Sequence, residues 1–185
     1  ELQVQRLTQD TDPKLAWSRL TRRQRRDPVL QAAHARALIN TGAKDVAERF
    51  LRKSIARHWN GELVRLYGHA HSDRMEDQLH RAEQWSGSHK DDPDLLMTLA
   101  RLHLERNDRD KARDHLLEAV RLGGSREGYL ELGLLLESMG ESDKALQCYR
   151  RGLQSPEVAG QKAIAPEVST PPAELVPVLE SPESR

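Results

Sequence analysis

A repeat of 33 residues in the second half of the sequence limits what the chain can fold into. The stretch DPDLLMTLARLHLERNDRDKARDHLLEAV, from Asp92, aligns with SREGYLELGLLLESMGESDKALQCYRRGL, from Ser125. Each stretch contains two runs of apolar residues at helical spacing, separated by a short polar break. A repeat of this length predicts an all-α solenoid in which each copy is a pair of antiparallel helices packed against its neighbours.

Two further copies precede these repeats. One begins at Asp27 and has Gly42 in its turn, as the last copy has Gly140, because glycine adopts a positive φ at little cost. The copy between is irregular: its first helix, GELVRLYG, is predicted to be short and to end near Gly68, and a loop, HAHSDRME, replaces the tight turn. The repeat signature comprises Ala35, Gly42, Ala47, Ala82, Ala100, Ala112, Gly133, Gly140, Ala145 and Tyr149.

Prolines mark helix starts and a tail. Pro13, Pro28 and Pro93 each follow an aspartate, and Asp-Pro is expected where a helix begins. PKLAWSRLTRRQRR, at 13–26, is predicted to be one more helix. Six of the nine prolines lie at 155–185, a tail with five acids and two bases that we expect to be disordered. The predicted division is a helical segment at 1–26 from a truncated repeat, a solenoid of about four pairs at 27–154, and the tail.

The composition excludes several classes of protein. Lys+Arg and Asp+Glu number 29 each, so net charge gives no reason to expect nucleic acid as a partner. A single cysteine, Cys148, cannot form an internal disulfide or a zinc knuckle. We find no nucleophile elbow, phosphate-binding loop or zinc-protease motif, and we expect the chain not to be an enzyme. No apolar run approaches the roughly 20 residues that span a bilayer.

The repeat resembles the tetratricopeptide repeat, whose signature places are taken in the last copy by Leu132, Gly133, Gly140, Ala145 and Tyr149. The chain also resembles the C-terminal part of HemY, the tetratricopeptide protein associated with heme biosynthesis in proteobacteria. That resemblance covers roughly 17–153. The matching stretches are WSRL from Trp17, RRDPVL from Arg25, LVRLYG from Leu63, AEQW from Ala82, DPDLLMTLARL from Asp92 and ALQCYRRGL from Ala145.

The HemY resemblance implies a function and a location. Members of that family are inner-membrane proteins with two N-terminal transmembrane helices and a repeat domain thought to face the cytoplasm. The resemblance implies a non-enzymatic partner of enzymes of porphyrin synthesis. The chain starts at Glu1, so we expect any membrane anchor to lie in a missing N-terminal part. The family supplies no catalytic or ligand residues to transfer.

Histidines raise the alternative of a heme- or porphyrin-binding carrier. His69 and His71, in GHAHSD, could converge on a metal or heme only in an extended loop, with His80 as a possible third ligand. Solvated histidines in an irregular loop are the simpler interpretation, so no cofactor is expected. His34 and His103 are interpreted as core histidines, with heme ligation as the remote alternative for His103.

Two other features receive structural interpretations. Cys148 is expected to be unreactive. The basic run Thr21–Arg26 is expected to be a solvated helix end rather than a contact for anionic lipid or nucleic acid.

The groove lined by the first helix of each pair is the expected binding surface for another protein. Lys and Asn, which clamp a terminal carboxylate in some relatives, are replaced here by Met97, Arg101, Leu130 and Leu134. The alternative is that Met97, Leu130 and Leu134 pack against neighbouring repeats. The predicted groove residues are Arg36, Asn40, Met97, Arg101, Glu105, Leu130, Leu134 and Glu137, accompanied by Ala32, Ile39, Leu104 and Ser138.

Overall fold

A computed structural model describes Val4, residues 12–123 and residues 125–155. Within residues 12–155 the elements that it describes are helices joined by turns and short loops, with no strand. They are α1 (Pro13–Ser18), a 3-10 turn (Gln24–Arg26), α2 (Pro28–Asn40), α3 (Lys44–Arg57), α4 (Gly61–Gly68), α5 (Met75–His89), α6 (Pro93–Glu105), α7 (Arg109–Arg121), α8 (Arg126–Ser138) and α9 (Ser142–Gln154).

The helices follow one another as four successive pairs, α2–α3, α4–α5, α6–α7 and α8–α9, and each pair stacks on the next. The helices α4 and α5 approach each other less closely than the helices of the other three pairs. We call α2, α4, α6 and α8 the first helices and the others of each pair the second helices. This is the predicted all-α, tetratricopeptide-type solenoid. Small residues lie buried where helices approach closely: Ala35, Ala47, Ala82, Ala100, Ala112 and Ala145.

The Asp-Pro dipeptides start helices as predicted. The Asp12, Asp27 and Asp92 side chains accept hydrogen bonds from first-turn amides, at 3.0, 2.9 and 2.9 Å for the shortest bond of each. In each case proline follows at the first helical position, where its missing N–H costs nothing.

The turns within the three regular pairs have the same backbone conformation. Gly42, Asn107 and Gly140 have φ values of +75°, +60° and +81°, so the prediction of a positive φ at both glycines is confirmed. Asparagine can occupy the turn of the third pair because its short polar side chain tolerates the left-handed region better than most side chains do. In every turn an N–H donates to the carbonyl five residues earlier: Ala43 to Leu38, Asp108 to His103 and Glu141 to Leu136.

The second pair is irregular, as predicted. Helix α4 ends at Gly68, and the following loop extends to α5 at Met75. A side chain at Gly68 would be crowded, because a Cβ there would lie 3.1 Å from Thr98 Cα on α6. The short helix therefore packs closely against α6, and its contacts are chiefly with α2, α3 and α6.

The single helix predicted at 13–26 is wrong. Helix α1 ends at Ser18, whose hydroxyl donates to the Leu15 carbonyl at 2.7 Å. A new turn starts at Thr21, which exchanges hydrogen bonds with Gln24: the Thr21 N–H donates to the Gln24 side chain, and the Gln24 N–H to the Thr21 hydroxyl. This reciprocal pattern is a capping box, which favours a new turn at Thr21 over continuation of α1.

Part of the predicted domain division lies outside the described residues. Residues 156–185 of the expected tail and residues 1–3 and 5–11 of the N-terminal segment belong to this part, so the division stays a prediction. Among the helices that the structure describes, none has the combined length and apolar character that crossing a membrane would require.

Candidate functional site

The first helices are joined by ion pairs that recur from one repeat to the next. Arg36 on α2 lies 2.7 Å from Glu62 on α4, and Arg101 on α6 lies 2.9 Å from Glu127 on α8. Both pairs join residues 26 apart in the sequence, at equivalent places in their repeats. Between them Arg65 on α4 lies 3.2 Å from Asp94 on α6. Alternating charges therefore connect the first helices along one face.

Arg101 is at the centre of this network. Its guanidinium donates to Glu131 at 2.6 and 3.0 Å, to Glu127 at 2.9 Å and to the Arg65 carbonyl at 3.1 Å. Its side chain is buried, so the prediction of an exposed groove residue at this position is wrong. The physical reason is that α8 brings two carboxylates over Arg101. A guanidinium with several charge-assisted bonds is retained inside as a tie between repeats.

One carboxylate beside Arg101, that of Glu127, is strongly stabilised in its charged form. His69, with its Nε2 3.6 Å from Glu127, together with Arg101 and Arg65, lowers the pKa of Glu127 to about 2. Ligand atoms of His69, Glu127 and Glu131 lie within 4.8 Å of one another, a spacing that a metal ion could use. Arg101 already supplies positive charge to both carboxylates, so this cluster is explained by an internal ion pair.

Next to this network is a depression of about 420 Å³, which we call the groove site. It joins the loop after α4 with α6, α8 and the α6–α7 turn. Its lining combines leucines with charged and polar groups: His69, His71, Arg101, Leu104, Glu105, Asn107, Arg109, Glu131, Leu134, Leu135 and Ser138. Two contacts hold side chains at the rim of this depression. His71 Nδ1 lies 3.1 Å from Glu105, and Arg109 donates a hydrogen bond to the Ser138 carbonyl at 3.4 Å.

The remaining predicted groove residues fall into three groups: buried, partly buried and exposed. Met97 is buried against α8, so its exposure was wrongly predicted and the packing alternative holds for it; Ala32 is buried as well. Ile39 and Leu104 are partly buried. The exposed residues are Arg36, Asn40, Glu105, Leu130, Leu134, Glu137 and Ser138. Among these, Glu105, Leu134 and Ser138 line the groove site, whereas Glu137 accepts a hydrogen bond of 2.8 Å from the Tyr149 hydroxyl.

The loop containing GHAHSD is held by ordinary scaffold contacts. The Gln78 side chain donates to the Tyr67 carbonyl at 2.6 Å and accepts from the Ser72 N–H at 3.0 Å. The Ser72 hydroxyl donates to Asp45 at 3.0 Å. His69 and His71 are half-exposed and both line the groove site. The loop thus brings the two histidines to one depression, where each lies beside a carboxylate.

LVRLYG packs inward, as predicted from the sequence. Leu63, Leu66 and Tyr67 are buried, and the Tyr67 hydroxyl donates to Glu48 at 3.1 Å. Burial, with Glu48 nearby, raises the pKa of Tyr67 well above its usual value. Glu48 also pairs with Arg52 at 3.0 Å, so this tyrosine anchors the irregular helix on α3.

The two core histidines, the cysteine and the basic run from the sequence analysis each make contacts that belong to the fold. Burial lowers the pKa of His34 to about 4 and lowers that of His103, which confirms both as core histidines. Burial raises the pKa of the Cys148 thiol, which fits an unreactive side chain. The basic run Thr21–Arg26 covers the 3-10 turn, where Arg25 donates to the Ser18 carbonyl at 2.6 Å.

The recurring ion pairs were missed by sequence reasoning. A charge pattern does exist in the sequence, because an arginine is followed 26 residues later by a glutamate in two copies. Apolar periodicity alone does not reveal it. The pattern becomes interpretable only when the stacking of first helices is known.

Comparisons with known proteins agree with this fold. The tetratricopeptide repeat model matches residues 127–157. No curated protein shows significant sequence similarity to the chain. A thermophilic TPR protein of Thermus thermophilus, TTC0263, superposes with a TM-score of 0.61 at 21% identity, covering 76% of this chain and 80% of that one. MamA from Desulfovibrio magneticus RS-1 gives a TM-score of 0.52 at 16% identity, covering 82% and 89%.

These similarities show the fold. Tetratricopeptide domains generally bind other proteins, through the extended surfaces that stacked repeats create.

Proposed function

We propose that the chain is a non-enzymatic scaffold that binds a segment of another protein in the groove site. The observation that supports this most directly is the composition of that depression, which spans the second, third and fourth pairs. Leu104, Leu134 and Leu135 offer apolar surface, and the ion-paired side chains around them offer both signs of charge. A few apolar anchors with polar orienting groups are typical of a peptide-binding groove.

The rim limits the chemistry of the partner. Glu105, at the end of α6, and Arg109, at the start of α7, are both exposed. Glu105 can exchange its contact with His71, and Arg109 its contact with the Ser138 carbonyl, for a contact with a partner. A segment with one or two aliphatic side chains flanked by a base and an acid fits this arrangement. Such a segment would be steered by the charges and held by the burial of its apolar groups.

The resemblance to HemY indicates which partners and which location to propose. On that basis the partners are enzymes of porphyrin synthesis, and the full-length protein is anchored in the bacterial inner membrane with this domain on the cytoplasmic side. The stretches between Trp17 and Leu153 that resemble HemY support this part of the proposal.

The test is affinity capture from a detergent-solubilised extract, with the full chain as bait. Glu105→Lys combined with Arg109→Glu reverses both rim charges and keeps the net charge. Arg49→Glu combined with Glu83→Lys is the matched control, because these residues are exposed on the second helices. We expect enzymes of porphyrin synthesis to be recovered by the wild type and the control and lost from the rim variant. Equal recovery by all three would refute the groove site.

A heme- or porphyrin-binding carrier is the second candidate, supported by the convergence of His69 and His71 on the groove site. A hemin titration distinguishes it. A saturable Soret shift that disappears in His69→Ala/His71→Ala would support the carrier. Unsaturable absorbance that is unchanged in the double variant would count against it, because hemin adheres to apolar surfaces.

A further inference from the structure

The last pair ends in an apolar surface that we call the terminal face. Leu130 and Leu134 lie one turn apart on α8, and Leu146 and Leu153 lie two turns apart on α9, with the exposed Arg150 between them. The four leucines are 50%, 54%, 48% and 74% exposed, respectively. Together they make up most of the exposed large apolar residues of the described chain. Isolated exposed leucines are ordinary, but a group at one end of a solenoid indicates an unfilled contact.

The third pair shows what normally covers these positions. In the 33-residue repeat Met97 corresponds to Leu130, Arg101 to Leu134 and Val120 to Leu153. A Cβ at Gly128 on α8 would lie 3.5 Å from both Met97 Sδ and Val120 Cγ1, so the start of α8 covers this pair of residues. Met97 and Arg101 are accordingly only 2% and 7% exposed.

The terminal face is therefore the place that a following first helix would take. Among the described residues nothing occupies it. An occupant must supply aliphatic side chains for Leu130, Leu134 and Leu153. It gains further from negative charge near Arg150, which is exposed on the same side of α9.

The chain itself continues from this face with a suitable segment. Residues 174–180, ELVPVLE, contain four aliphatic side chains in a row interrupted only by Pro177, with a glutamate at each end. Proline in the middle prevents a regular helix, so the segment would bind in an extended conformation. Residues 156–173 can span up to about 60 Å, which is ample for a return to α9.

We propose that Glu174–Glu180 bind intramolecularly to the terminal face and take the place of the next repeat. Leu175, Val176, Val178 and Leu179 cover the exposed leucines, and one of the two glutamates lies at Arg150. This contact covers the terminal face and shields leucines that would otherwise favour association between molecules.

Photo-crosslinking of the full chain tests this contact. Benzoylphenylalanine replaces Leu146 on the terminal face, or Val29, which is 58% exposed at the other end of the solenoid, as the matched control. We expect a crosslink from position 146 to residues 174–180 within one chain, and none from position 29 to that segment. A product of twice the chain mass would show that a second copy occupies the face and would overturn the proposal, as would a crosslink from 146 to any other part of the chain.

Hydrogen exchange of the same full chain gives an independent readout. A tethered segment has an effective concentration on the order of 1 mM, so a dissociation constant of about 0.1 mM would slow exchange in residues 175–179 about tenfold. Leu175→Ser/Leu179→Ser should remove both the slowing and the crosslink while the far-UV circular-dichroism spectrum of the folded chain is unchanged. Exchange at the rate of a free peptide in the wild type would refute the proposal. Leu134 belongs to both the groove site and the terminal face. These readouts use this chain alone, so they test the intramolecular contact without any partner in the groove site.

Discussion

The third and fourth helix pairs share one register but differ in what lies beyond them. Arg101 in the third pair is buried under two glutamates of α8, whereas Leu134 at the same place in the fourth pair is exposed. The more polar side chain is thus the buried one. The comparison shows that exposure in this solenoid depends on the next repeat, and that repeat position alone does not predict it.

The two ends of the described solenoid differ in the same way. At the N-terminal end α1 covers the first pair, with Trp17 stacked on His34 at 4.4 Å between ring centroids. At the C-terminal end the equivalent cover is absent from the described residues, and the terminal face is exposed. The internal repeats and the covered end should therefore be more sensitive to substitution than the last pair.

The largest expected effect is that of Ala112→Asp in the third pair. Ala112 is fully buried, and an unpaired charge there costs several kcal/mol against a total stability of roughly 5–15 kcal/mol. We expect the melting temperature, followed by circular dichroism, to fall by more than about 10 °C. Ala145→Asp, at the same place in the fourth pair, should have a smaller effect because that pair can open without disturbing the others. An unchanged melting temperature for Ala112→Asp would contradict the register.

Charge substitution at equivalent first-helix positions should separate the two pairs sharply. Arg101→Glu places a third carboxylate beside Glu127 and Glu131, and loss of a buried ion-pair partner typically costs about 3–5 kcal/mol. Leu134→Glu changes a residue that no described helix covers, so its cost is limited to the contact with residues 174–180, at most about 1.4 kcal/mol for the tenfold binding proposed above. Urea titrations measure both. Similar losses in the two variants would mean that the exposure of Leu134 is incorrectly assigned.

The covered N-terminal end should respond to pH through His34. Burial lowers its pKa from 6.5 to about 4 in the folded state, so between these values the unfolded chain binds more protons than the folded chain. The free energy of unfolding is therefore not reduced by His34 above pH 6.5. It falls as the pH decreases towards 4, by roughly 3 kcal/mol in total, since one pKa unit corresponds to about 1.4 kcal/mol. His34→Phe keeps the aromatic stack with Trp17 and should flatten this part of the profile. A stability profile that retains its full slope in His34→Phe would exclude His34 as its source.

The sequence predicted the helices better than it predicted their surfaces. The 33-residue period and the residues in the turns were sufficient to predict the helix pairs, the short helix ending at Gly68 and the positive φ at Gly42 and Gly140. These features depend on local sequence. Burial of Met97 and Arg101 depends on α8 and was missed. The break after Ser18 was missed as well, since the apolar pattern hid the capping box formed by Thr21 and Gln24.

The smallest expected effect compares turns, where the third and fourth pairs are most alike. Gly140 has a φ of +81°, and the equivalent Asn107 has a φ of +60°. No heavy atom lies within 4 Å of a Cβ built at Gly140, so any cost of substitution there comes from backbone conformation alone. Gly140→Ala should destabilise by about 1–2 kcal/mol, and Gly140→Asn by clearly less, because asparagine tolerates the left-handed region. The reciprocal Asn107→Gly should be nearly neutral in urea unfolding. Equal losses for the alanine and asparagine variants would indicate that the fourth turn relaxes out of this conformation, and that the two pairs differ in their turns as well as in their surroundings.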